Sequence, residues 1–255
     1  MRPLVLLHGF TGGQRSFDEV RRRLEPARRV HTPFLPGHGP APGVLPTSWQ
    51  HGIELVLASL DGVEVPFDLC GYSLGGRVAL GLLERIPERI ASLVLVGAHP
   101  GLRTADERAA RRAADATHVA TLRHEGLARF VETWESQPIF ATHGSASEGS
   151  RAAKRADRLG HTAAGLCASL EAMGLGAMPD LRPALEAYDR SLDVVVGALD
   201  AKFRPLAEEV ARSARHATLH VVPGVGHDVP LEAPEALAAI LSSRPAPPAP
   251  ENSDR

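Results

Sequence analysis

The sequence predicts an α/β protein, with a mostly parallel sheet, helices on both faces and a helical block inserted after a central strand. Three observations lead there. Short apolar runs alternate with segments of helical spacing from Pro3 to Val96 and resume at Leu192, the pattern of strands joined by helical crossovers. Between Gly97 and Leu192 the alternation stops and the spacing is helical throughout. A serine flanked by glycines, in Gly71-Tyr72-Ser73-Leu74-Gly75, stands where an apolar strand gives way to a helix.

Taken in order, Pro3 to Leu7 is a short apolar run that ends in His8-Gly9 and the polar Thr11-Gly12-Gly13, so it reads as a strand entering a loop. Ser16 to Leu24 places Phe17, Val20 and Leu24 at helical spacing, with Ser16 as the expected N-cap. Thr32 to Pro46 is rich in Pro and Gly and reads as loop, and Ile53 to Leu60 returns to helical spacing. A strand at Phe67 to Cys70, a helix from Leu74 to about Arg85, and strands at Ser92 to Val96 and Leu192 to Gly197 complete the framework. The expected organisation is one domain over 1–243, with a core of 1–97 and 191–243, a helical lid over 98–190 and a disordered Pro-rich tail over 244–255. Within the lid, Glu148 to Asp157 is polar and small, which suggests a flexible hinge or a disordered part of the lid.

Composition narrows the function classes. The formal net charge is −2, so no global basic field draws the chain to nucleic acid or to an anionic membrane. All but two of the 28 basic residues are arginines, the lysines being Lys154 and Lys202. Cys70 and Cys167 form neither a disulfide framework nor a metal-ligand spacing, so no metal and no cofactor are expected, and a reducing compartment fits. No apolar stretch approaches the roughly 20 residues of a membrane span, and the start is too short for a signal peptide, which points to the cytoplasm.

The turn at Ser73 carries the chemistry. A strand-to-helix bend this sharp forces its central residue into a strained backbone, tolerable only where the neighbours lack a Cβ. It lifts the hydroxyl to the sheet edge, beside the unpaired N–H groups of a helix N-terminus. A serine hydroxyl is weak until an imidazole takes its proton, and the imidazole needs an acid to hold its tautomer. Asp200, at the end of the strand Leu192 to Leu199, and His227, in the Gly-rich loop after Val222, follow in the order such sites require. His216 and His220 are the rivals for the imidazole, but they precede or lie within a strand. The loop His8-Gly9-Phe10 is expected to supply an oxyanion donor, the Phe10 N–H, beside that of Leu74. His8 itself reads as a residue that pins the loop.

Leu7-His8-Gly9-Phe10, Pro36-Gly37-His38-Gly39, the Ser73 turn and the Asp200 and His227 loops resemble the α/β-hydrolase superfamily. The resemblance narrows with Gly71-Tyr72-Ser73-Leu74-Gly75-Gly76-Arg77, His99-Pro100-Gly101-Leu102, Trp134-x-x-Gln137-Pro138-Ile139-Phe140, Met178-Pro179-Asp180-Leu181 and Asp200-Ala201-Lys202-Phe203. Together these are similar to the 2-succinyl-6-hydroxy-2,4-cyclohexadiene-1-carboxylate synthases of menaquinone synthesis, from about residue 4 to 232. That resemblance implies the α/β-hydrolase fold and a lyase that expels pyruvate from an enolpyruvyl substrate, with the triad serine as base. The implied partner is a small molecule with three carboxylates, which calls for converging arginines.

Arg77 lies one helical turn beyond Ser73, and Arg108 and Arg158 stand in lid segments like the family's arginine-bearing ones, with Arg155 the alternative to Arg158. Tyr72, Trp134 and Phe140 would wall the pocket, and Lys202 would approach an anion or cap its loop. Two features depart from the family: Phe34 stands where an aspartate is usual, and the chain opens directly on the strand leading to His8, which implies a truncated sheet edge. The competing functions are a carboxylesterase or thioesterase with the same triad, and a catalytically silent binding protein. A lid segment bearing Arg103, Arg108, Arg111 and Arg112 argues against a neutral acyl pocket.

Overall fold

The computed structural model describes residues 1–24, 26 and 28–243; the tail expected over 244–255 lies outside the described residues. Six strands form one parallel sheet in the order β2-β1-β3-β4-β5-β6: β1 Leu4–Leu7, β2 Val30–His31, β3 Phe67–Tyr72, β4 Ile90–Val96, β5 Leu192–Gly197 and β6 Ala217–Val222. The helices are α1 Asp18–Arg21, α2 Trp49–Ser59, α3 Leu74–Arg85, α4 Ala105–His124, α5 Gly126–Glu135, α6 Glu148–Leu159, α7 Ala163–Met173, α8 Arg182–Ala187, α9 Arg204–Ser213, α10 Val229–Glu232 and α11 Pro234–Ser242.

Alternation along the central strands explains the layering. Val5, Leu7, Leu69, Leu93 and Leu95 pack on one face, in a core shared with α2, α3, α8 and α9. Leu4, Leu6, Cys70, Val94 and Val96 point to the other, against Phe17, Val20 and α11. A strand buried on both faces has no polar side to show, and this is why these strands read as unbroken apolar runs. The inserted block has its own small core, in which Phe130 and Val131 of α5 meet Val119 and Leu122 of α4 and Leu166 and Leu170 of α7.

Two local expectations need correction. Ser16 is not the cap of a helix over 16–24; it lies inside a 3-10 turn, Gln14–Phe17, where its Oγ accepts the Gly13 N–H at 2.9 Å. Glu148 to Asp157 is no hinge but most of α6, begun by the Ser147 hydroxyl, which accepts the Ser150 N–H. The short edge of the sheet is β2, whose two residues leave no periodicity to read.

His8 ties the loop after β1 to the next one. Its Nε2 accepts the Leu35 N–H at 3.0 Å and its Nδ1 lies 2.9 Å from the Gly9 carbonyl, so the ring sits neutral with Nδ1 as donor. Burial pushes its pKa from 6.5 down to about 3, and His38 beside it is likewise held low, by burial first and then by His8 and His161. Between these folded values and 6.5 the unfolded chain binds protons that the folded chain does not, so stability falls as pH falls. From pH 7.5 to pH 5, His8 alone contributes a loss of about 2 kcal/mol. Urea unfolding at the two pH values checks this, and His8→Gln should show the shallower dependence.

Candidate active site

At the end of β3 the chain enters α3 within one residue. Ser73 has φ 52° and ψ −108°, a conformation that L-residues avoid. The glycines on either side explain how it is held. A Cβ on Gly71 would lie 2.3 Å from the Gly75 carbonyl oxygen, and one on Gly75 would lie 2.0 Å from the Leu7 carbonyl oxygen. Strand, helix and the neighbouring β1 therefore approach as closely as bare backbone allows.

Three side chains from three distant segments meet above this bend. The Ser73 Oγ lies 3.1 Å from His227 Nε2, and His227 Nδ1 lies 2.7 Å from Asp200 Oδ2. Asp200 and His227 are 5% and 3% exposed, which shields the pair from competing water. The second Asp200 oxygen accepts the Phe203 N–H at 3.1 Å, so one carboxylate orders its own turn and the imidazole together. Phe203 and Tyr72 flank the His227 ring, with centroids at 4.4 and 5.4 Å. The Glu232 carboxylate accepts the N–H of Gly226 at 2.9 Å and that of Asp228 at 3.2 Å, bracketing the backbone of His227. His220 pairs instead with Asp193 on the sheet, and His216 lies in the turn before β6.

The serine opens into a cavity between sheet edge and lid, lined by Phe10, Tyr72, Leu74, Arg77, Trp134, Phe140, Arg158 and Lys202 among the residues singled out from the sequence. Leu74 is the first residue of α3, where an N–H has no intrahelical acceptor. Arg77 is half-buried and donates to the Met173 carbonyl at 2.8 Å; the desolvation of its guanidinium and the nearby Arg111 lower its pKa to about 9, which leaves it cationic at neutral pH. Arg158, 3% exposed, donates to Glu135 at 2.8 Å and stands 5.1 Å from the centre of the Phe140 ring. Arg155 is exposed and pairs with the other oxygen of Glu135.

Arg108 is the correction here. Its guanidinium turns back to the Leu102 carbonyl at 2.9 Å, outside the cavity, and Arg111, one turn further along α4, lines it instead. Sequence reasoning also passed over Lys154 and His99 on the same wall. Five basic side chains (Arg77, Arg111, Lys154, Arg158 and Lys202) line the cavity, and among its described lining residues there is no Asp or Glu. Arg111, Lys154 and Arg158 are balanced from behind by Asp115, Asp228 and Glu135, whereas Arg77 and Lys202 have no carboxylate within salt-bridge distance among the described residues. His99 feels the result: burial, then Arg182, Arg77, Lys202 and Arg111, lower its pKa to about 4. Trp134 Nε1 and Ser169 Oγ, both on the lining, are buried without a partner among the described residues.

A bent serine under a histidine and an aspartate, on a parallel sheet with a helical insertion, defines an α/β hydrolase. Residues 4–240 match the Alpha/beta hydrolase family, and the chain belongs to it. Within that family it belongs with the 2-succinyl-6-hydroxy-2,4-cyclohexadiene-1-carboxylate synthases. It is 38% identical over 244 residues to the synthase of Salmonella newport (strain SL254), covering 93% of each chain. It is 36% identical over 240 residues to that of Enterobacter sp. (strain 638), covering 94% of this chain and 90% of the relative. Among solved structures, MenH from S. aureus superposes with a TM-score of 0.88 at 26% identity, over 94% of this chain and 91% of that one. A thermophilic esterase from Thermogutta terrifontis shares the fold, with a TM-score of 0.75 at 24% identity, over 94% and 88%.

The strain at Ser73 is testable without any substrate. A residue held in so sparsely populated a region costs about 1–3 kcal/mol, which glycine avoids apart from a smaller loss of unfolded-state entropy. Ser73→Gly should therefore gain roughly 1 kcal/mol, or about 2–4 °C in Tm for a chain of this size, by calorimetry.

Proposed function

We infer that this protein is a carbon–oxygen lyase that eliminates pyruvate from 2-succinyl-5-enolpyruvyl-6-hydroxy-3-cyclohexene-1-carboxylate, giving 2-succinyl-6-hydroxy-2,4-cyclohexadiene-1-carboxylate in menaquinone synthesis. One observation carries the reading beyond the names of the relatives: a cavity under the serine lined by five cations and no acid suits a small molecule with three carboxylates. A neutral acyl ester would leave Arg77 and Lys202, which have no carboxylate within salt-bridge distance among the described residues, without a counter-charge.

Each residue then has a role. Asp200 holds His227 with Nδ1 protonated, so that Nε2 accepts the Ser73 proton as the Ser73 oxygen takes the ring proton next to the substrate ketone. The released C–H electron pair moves towards the ketone and returns to form a double bond between C2 and C3 of the ring, while the existing C3–C4 double bond shifts to C4–C5 and pushes out the group on C5. The bond to the enolpyruvyl oxygen breaks, and the departing enolate takes a proton to become pyruvate. The N–H groups of Phe10 and Leu74 face the oxygen on which negative charge builds, and no acyl-enzyme is formed. Arg77, Arg111 and Arg158 engage carboxylates, and Tyr72, Trp134 and Phe140 exclude water.

Pyruvate release from the synthetic substrate, followed with lactate dehydrogenase and NADH, tests the reading. Ser73→Ala should lose about 10⁴-fold in kcat/KM, and Arg77→Gln should raise KM by roughly tenfold or more with a smaller change in kcat. A chromophore burst from a p-nitrophenyl ester with a trapped acyl-serine, and no pyruvate from the enolpyruvyl substrate, would assign a hydrolase instead.

A further inference from the structure

Asp228 follows His227 directly and is fully buried, yet nothing in the serine–histidine–aspartate arrangement uses it. Two side chains of the inserted block converge on its carboxylate. Lys154 of α6 forms an ion pair with Oδ2, and His143 Nε2, from the 3-10 segment Pro138–Ser145, lies 3.2 Å from the same oxygen. Burial alone would raise the Asp228 pKa, but attraction to Lys154 first, and then the close approach of His143, outweigh it and hold the group below the ordinary carboxylate range. The 3-10 segment touches the His227 loop at a second point: a Cβ on Gly226 would lie 2.0 Å from Thr142 Oγ1. Among the other ties of α6 to the core in the described residues, Arg15 with Asp157 has an arginine side chain 60% exposed and is screened accordingly, and Arg158 Nε reaches only the neutral Thr11 hydroxyl, at 3.4 Å. Lys154 and Asp228 side chains are 15% and 0% exposed.

We propose that Lys154 is a positioning residue: by pairing with Asp228 it latches α6 onto the loop carrying His227, so lid placement and imidazole placement are set by one buried ion pair. The ammonium stands on the cavity wall, 5.8 Å from the centre of the Tyr72 ring that flanks His227. It also forms the partition between the reaction cavity and an outer cleft, since Gly12, Ser16 and Lys154 line both. Removing one partner leaves the other charge buried and unmatched, which the loop can relieve only by moving towards water; removing both leaves no such charge. A latch of this kind predicts coupling between the two residues, where a substrate contact at Lys154 predicts none.

The test compares Lys154→Met, Asp228→Asn and the double variant with the parent, by amide hydrogen exchange and by pyruvate release. Only the kinetic arm rests on the function inferred above; exchange needs no substrate, so a parent that releases no pyruvate overturns that function and leaves the latch to be decided by exchange. Each single variant should exchange roughly tenfold faster at 138–159 and 226–232, with β3 and β4 unchanged, and the double variant should return most of the protection. In turnover, kcat should fall by roughly tenfold in each single variant with KM within about threefold, and should recover in the double. Asp228→Asn is nearly isosteric and carries the test if Lys154→Met fails to fold. Parent-like exchange in the single variants, a double variant no better than either single, or a rise in KM alone would overturn the proposal.

Discussion

Everything about this site depends on how closely three pieces of backbone approach one another. β3 and α3 meet with no side chain between them, and the Leu7 carbonyl of β1 rests against the first turn of the helix. That contact forces Ser73 into its unusual conformation and fixes the end of β1, hence Phe10, relative to Leu74. The position of the Ser73 hydroxyl is thereby set by packing of the central sheet and not by loops. His227 and Asp200 are brought to the serine from loops, and those loops are themselves held, by Phe203, Glu232 and Asp228.

A second constraint is electrostatic. Several guanidinium and ammonium groups are gathered under the lid at distances where, unscreened, they would repel strongly. The protein tolerates them by placing Asp115, Asp228 and Glu135 behind the wall, so that the cavity presents positive charge while the protein around it stays close to balance. Core and lid both contribute cations, Arg77 and Lys202 coming from the former and Arg111, Lys154 and Arg158 from the latter. On the function inferred above, an anion entering the cavity meets Arg77 from the core and Arg111 and Arg158 from the lid.

Much of this was legible in the residues. Strands buried on both faces are written as plain apolar runs, and the glycine pair around Ser73 has no other physical reading as economical as a tight bend. Asp200 and His227 were legible because each ends an apolar strand in a loop, the one place where a side chain overlooks a sheet edge. Arg108 and Arg111 were not separable, since they lie three apart on one helix and share a face; what divides them is that Arg108 satisfies the Leu102 carbonyl at the helix start. α6 escaped detection because the side chains it turns to its neighbours are Lys154, Asp157 and Arg158, and a helix face built of charged residues does not read as an apolar stripe. Lys154 and Asp228 are far apart in the chain, and nothing local marks either as the other's partner.

The insertion between β4 and β5 has a consequence for how the protein is made. Strands β1, β3 and β4 can associate from a continuous early stretch of chain, but β5 reaches β4 only after residues 97–191 have been spanned, a loop whose closure is entropically costly. If that span first collapses into helices of its own, its ends are drawn together before the strands pair, and the cost falls. During synthesis the serine emerges long before its acid and its imidazole, so the three cannot meet until the final quarter of the polypeptide docks. Assembly of the sheet and the onset of catalysis thereby become one event.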